Sequence, residues 1–163
     1  MIGLTPNSIK GLLLILMKKK SGDPVPSFAE LNIQKLSSSL KTPFLRESPE
    51  FENTEYILRT AAHFFCIMVE SHCAPNANKR LAVVALFTVL RFNGYVLRTS
   101  DVRMYAATMA VTWLSKYGLF DEAIEEVYAF LEEAAELEIR HKVSKEERAV
   151  AEAEFCDFMQ SKT

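Results

Sequence analysis

The sequence predicts an all-α fold: one compact helical domain over residues 1–163, with about six or seven helices around a central apolar helix. Three observations predict it. Only 5 Gly and 6 Pro occur, too few for a turn-rich sandwich or barrel. Apolar residues recur at helical spacing, and capping residues bracket the apolar runs. Hydrophobic residues make up 49% and charged residues 25%, a globular balance that argues against disorder. A chain of 163 residues suits a single domain and removes roughly 70% of its unfolded surface from water.

The first helix starts with Thr5 as N-cap and Pro6 at the first helical position. Its apolar run, Ile9 to Met17, is followed by Lys18, Lys19 and Lys20. A secretory signal carries its basic residues before the apolar run, and a membrane span needs about 20 apolar residues. The run is therefore expected to be a buried helix. Ser21-Gly-Asp-Pro-Val-Pro26 breaks the chain. Ser27 with Glu30 forms a capping box for a second helix, whose stripe of Phe28, Leu31 and Leu36 extends to about Leu40. From Lys41 to Phe51 the periodicity fails, and Pro43 and Pro49 predict an extended or irregular stretch.

A strong helix is predicted from Thr54 to Ser71, with Ile57, Ala61, Phe64, Phe65 and Met68 facing inward. Leu81 to Leu90 is apolar on nearly every face and belongs at the centre of the bundle. Asn93-Gly94 ends it, and Tyr95 to Leu97 reads as briefly extended. Ser100 opens a helix to Gly118, with Trp113 assigned to the core. Asp121 opens another to about Ile139 along Ile124, Val127, Leu131 and Ala135. Ser144 and Glu147 cap a final, peripheral helix over about residues 144–160.

The formal charge of −2 provides no overall field toward nucleic acid or an anionic membrane, so neither is expected as a partner. Three widely spaced cysteines, Cys66, Cys73 and Cys156, suggest reduced thiols in a cytoplasmic protein rather than a disulfide framework. His63, Cys66, His72 and Cys73 lack the paired spacing of a zinc site and read as buried thiols and a helix-face histidine.

The chemistry concentrates in His72-Cys-Ala-Pro-Asn-Ala-Asn-Lys-Arg80, between two long apolar helices. A loop entering a helix N-terminus presents backbone N–H groups and the positive end of the dipole to an anion. Ala77 is small enough for a phosphate to approach the backbone. Asn76 and Asn78 tolerate unusual backbone angles and carry amide donors. Lys79 and Arg80 sit at the end of the helix where cations are disfavoured by about 0.3–1 kcal/mol each unless an anion is present. His72 closes the preceding helix and is suited to accept a hydroxyl proton near neutral pH; the alternative is a helix C-cap.

The stretch from His72 to Arg80 resembles the Fic/Doc motif, H-x-F-x-(D/E)-(G/A)-N-(G/K)-R. The Ala77-Asn78-Lys79-Arg80 ending and the later Arg91-Phe-Asn-Gly-Tyr95 are most similar to the Doc (death-on-curing) branch. The resemblance covers about residues 25 to 115, with its motif core at about 54–94. It implies transfer of a phosphoryl or nucleotidyl group from a nucleoside triphosphate, usually ATP, to a target protein's hydroxyl. For toxins of the Doc branch it implies a translation factor, elongation factor Tu, as target and an antitoxin as partner. His72 would be the general base, and Asn76, Ala77, Asn78, Lys79 and Arg80 would surround the phosphates. The Lys41–Phe51 segment would be the flap that aligns the target.

Three positions depart from the motif. Asn76 stands where the family acid binds Mg²⁺, and a neutral amide holds a hard cation less well than a carboxylate. Ala74 replaces the anchoring Phe, with Pro75 after it. Val83 stands where Fic proteins often carry a second Arg. A degenerate domain that binds nucleotide or a partner without catalysis is therefore the competing expectation. A structural protein with a fortuitous motif is the third.

Overall fold

The computed structural model describes residues 3–18, 24–46 and 54–137. Helix α1, Pro6–Lys18, is followed by a single 3₁₀ turn, Phe28–Glu30, and then by α2, Ile33–Arg46. Next come α3, Thr54–Glu70; α4, Asn78–Phe92; and strand β1, Tyr95–Leu97. Helices α5, Asp101–Lys116, and α6, Phe120–Ala134, lead into strand β2, Ala135–Leu137. The expected all-α class holds, with one short antiparallel ribbon pairing Tyr95 with Leu137 and Leu97 with Ala135. No helix among the described residues is long and apolar enough to cross a membrane.

Helix α3 is the hub, packing against α2, α4, α5 and α6. From Thr60 to Cys66 it is buried without interruption, and Phe64 and Phe65 are fully enclosed. Helix α4, which its sequence places at the centre, lies beside α3 and also meets α1, α5 and β1. Leu81, Ala82, Ala85, Leu86, Val89 and Leu90 line its buried side, while Phe87 and Phe92 reach solvent. Arg59 ties α3 to α6: its guanidinium donates to Glu55 at 3.1 Å and Glu125 at 2.9 Å and stacks on Tyr128. At the start of α3, Thr54 Oγ1 and the Tyr95 hydroxyl are 2.8 Å apart.

The caps follow the residue types. Thr5 Oγ1 accepts from the Ser8 N–H, and Ser100 Oγ accepts from the Arg103 N–H. Gly94 and Gly118 adopt φ of 86° and 76° beyond the ends of α4 and α5, where a side chain would be strained.

Four expectations are corrected. The Ser27–Glu30 capping box forms, but it heads only the 3₁₀ turn; the helix begins anew with Asn32, whose Oδ1 accepts from Lys35 N–H at 2.9 Å. Lys41 to Arg46 is the last part of α2 and contains Pro43, rather than an irregular stretch. Leu36, Leu40 and Pro43 lie one and two turns apart on one buried face, and burying that face outweighs the missing N–H. The predicted helix to Ile139 ends at Ala134, where Ala135 turns extended to pair with β1. Trp113 is 59% exposed and is not a core residue. Residues 47–51 of the predicted flap and the predicted helix at 144–160 lie outside the described residues.

Candidate functional site

The polar loop connects the two most closely packed helices, so rigid elements hold both its ends. Two left-handed residues that are not glycine bracket it: His72 at φ 42° and Ala77 at φ 60°. Such angles are uncommon outside glycine and asparagine, and they turn the chain sharply at each end. Ala77 occupies the N-cap position of α4 and has no side chain to cap with. The first intrahelical bond runs from Leu81 N–H to Ala77 C=O at 2.9 Å. The N–H groups of Asn78, Lys79 and Arg80 therefore belong to the first turn, which lacks intrahelical acceptors. No acidic residue lies in that turn.

Cys73 and Ala74 are buried, whereas Pro75 and Asn76 are exposed at the tip. Asn78 holds this shape. Its Oδ1 accepts from the Ala74 N–H at 2.9 Å, and its Nδ2 donates to the Ala74 C=O at 2.8 Å. One amide thus satisfies both backbone groups of a buried residue. On the other side, the Asn32 N–H donates to the Cys73 C=O at 2.7 Å, fastening the loop to the start of α2.

The loop therefore needs no Phe anchor. Cys73 and Ala74 enter the core, and Asn78 and Asn32 hold their backbone. Asn32 and Cys73 were not recognisable as loop supports from sequence; the one available signal was an Asn preceding the apolar start of α2. His72, exposed, leaves α3 beside these residues. Lys79 is exposed, with Nζ 3.6 Å from Met109 Sδ on α5, so this helix borders the site. Arg80 is half-buried on the next position of α4.

Burial pushes the Cys66 thiol up to about 12, with the nearby Glu70 carboxylate adding to the effect. A thiol in that state is neither a nucleophile nor a ready metal ligand at neutral pH. Among the described residues no group of three or more His, Cys, Asp or Glu side chains is placed to hold a metal ion. Cys66 and Cys73 are both free and buried.

The arrangement is suited to binding an anion, with an imidazole at the loop's other end. Comparison of the chain with protein-family models, with curated proteins and with solved structures gives no match.

Proposed function

We propose that this chain is a transferase of the Doc type. It moves a phosphoryl or nucleotidyl group from ATP, or another nucleoside triphosphate, to a hydroxyl of a target protein. The observation that carries this reading is the left-handed Ala77 at the head of α4, with Lys79 exposed in the first turn and no acidic residue in that turn. A helix start that carries a cation of its own is stabilised when an anion sits there.

The phosphates lie against the N–H groups of Asn78 to Arg80, with Ala77 permitting close approach and the two cations balancing charge. Because the Asn78 amide is bonded to Ala74, the backbone of Asn78 meets the phosphate while its side chain keeps the loop open. His72 accepts the proton of the target hydroxyl, whose oxygen bonds to phosphorus as the bridging P–O bond breaks. Attack at the γ-phosphorus releases ADP; attack at the α-phosphorus releases pyrophosphate.

The residues present do not fit a resident Mg²⁺. Asn76 offers a neutral amide, and no Asp or Glu occurs between His72 and Arg80. That departure favours a second reading, a nucleotide-binding domain of the same type without transfer. A translation factor as target and an antitoxin as partner belong to the first reading.

Two measurements separate these readings. ATP at 100 times its dissociation constant should raise stability by about 2.7 kcal/mol, and Lys79→Ala with Arg80→Ala should remove that gain. Absence of stabilisation at millimolar ATP, with or without Mg²⁺, rejects both. Incubating the protein with a cell lysate and ATP labelled at the α- or γ-phosphate then tests transfer. Label on a protein, lost in His72→Ala while ATP binding persists, supports the transferase; binding without label supports the second reading.

A further inference from the structure

Helix α5 turns Met104, Thr108 and Val111 into the core. Its opposite side carries Val102, Tyr105, Met109, Trp113 and Tyr117, exposed by 76, 67, 38, 59 and 60%. These positions follow one another at helical spacing and form a continuous stripe, in which the Trp113 and Tyr117 ring centroids are 4.8 Å apart. The neighbouring α6 presents Glu122, Glu125, Glu126, Glu132 and Glu133 to solvent instead. An aromatic stripe beside a helix surfaced with carboxylates marks an interaction surface.

We infer that this stripe joins two copies of the chain in a twofold-symmetric dimer, with the α5 helices antiparallel and Met109 at the dyad. The pattern is close to self-complementary, as an isologous contact requires. Tyr105 and Trp113 lie equally far along the helix from Met109, and Val102 and Tyr117 lie nearly so. Antiparallel packing sets Tyr105 against the second copy's Trp113 and the small Val102 against its Tyr117. The charges agree. Asp101 stands in the first turn of α5 and Lys116 in the last, so each Asp101 meets the second copy's Lys116. A parallel pair would set like charge against like.

Five side chains so exposed remove on the order of 500 Å² per copy on contact. The rim residues bring this toward the ~800 Å² per partner of a standard interface. Lys79, beside Met109, lies at the edge of this face. The dyad brings the two Lys79 ammonium groups to its flank, and salt that screens them also weakens the Asp101–Lys116 pairs. The two charge effects oppose each other, so the apolar stripe carries the contact and the dimer is reversible.

Sedimentation velocity of the full chain, from low to high micromolar concentration, should show a species of twice the 18.5 kDa monomer. Met109→Lys places two further ammonium groups beside the two Lys79 at the dyad, and Trp113→Ser removes the largest ring. Both should be monomeric with an unchanged far-ultraviolet circular dichroism spectrum. Asp101→Lys and Lys116→Asp should each weaken self-association at least tenfold, yet a mixture of the two should dimerise, since every pair across that interface is again opposite in charge. A wild-type monomer throughout the range overturns the proposal, as does a dimer that survives both Met109→Lys and Trp113→Ser. A mixture that associates no better than its components overturns the antiparallel arrangement.

Discussion

Ala77 and Asn78 divide the work of the loop: one turns the chain, and the other holds what has been turned. The amide of Asn78 is bonded at both ends to Ala74, itself 7% exposed. Asn78→Ala should therefore cost about 1–3 kcal/mol, because it leaves a buried donor and acceptor unmatched. Urea denaturation measures this, and a change within a few tenths of a kcal/mol would mean that the loop holds without its clasp. Asn76 is exposed at the tip and carries no such duty. Asn76→Asp should leave stability nearly unchanged, strengthen ATP binding in Mg²⁺ and weaken it in EDTA, since a bare carboxylate repels phosphate and a cation bridges the two. An affinity unchanged by Asn76→Asp, both in Mg²⁺ and in EDTA, would show that residue 76 does not face the phosphates. The residue types of this loop were legible in sequence, including the anomalous Lys79 and Arg80. The work of Asn78 was not. Whether an amide faces a ligand or its own loop depends on the backbone turns at His72 and Ala77, and neither angle follows from residue type.

At the scale of elements, the caps of Thr5 and Ser100, the glycine ends and the long apolar helices were legible because each depends on neighbours within a turn. The misplaced boundaries depend on contacts distant in sequence. Ala135 leaves its helix to pair with Leu97, a partner that no local pattern reveals. Helix α5 is apolar on both its buried and its exposed side, so periodicity alone does not tell which side faces in, and Trp113 lies on the exposed one. Pro43 is the sharpest case. It keeps its place in α2 because Leu36, Leu40 and Pro43 share a buried face. Pro43→Ala restores an N–H to reach the Ser39 carbonyl and removes the ring's conflict with the preceding turn, while giving up part of its packing. Proline in a helix interior costs about 3 kcal/mol relative to alanine, and losing the ring's packing recovers only part of that for the wild type. The variant should gain about 1 kcal/mol in urea denaturation. A loss would mean that the ring's packing exceeds its backbone penalty.

For the whole molecule, the enclosure of α3 makes stability depend on groups that stay neutral. Cys66 closes its continuously buried stretch and has no exposed surface, and burial pushes its thiol from 9.0 up to about 12. The sign follows from proton counts. Above about pH 9 the unfolded chain releases the thiol proton while the folded chain keeps it, so the folded state binds more protons and stability falls as pH rises. The decline attributable to Cys66 reaches at most about 1.4 kcal/mol per pH unit and ends near pH 12, where the folded thiol also ionises. Tyr128 acts in the same direction: its hydroxyl donates to Glu132 at 2.5 Å, and that bond with burial raises it to about 12. The two are separable by substitution. Cys66→Ala should lower stability at neutral pH, because it opens a small cavity at a position with no exposed surface. Its stability should nevertheless fall less steeply than the wild type's above pH 9, the titrating group being gone. Tyr128→Phe should keep the thiol's share of the slope and lose the tyrosine's. Equilibrium urea denaturation at pH values from neutral to alkaline reads both curves. A Cys66→Ala curve parallel to the wild type across the whole range would show that the thiol does not resist ionisation in the fold, and that water reaches this part of α3.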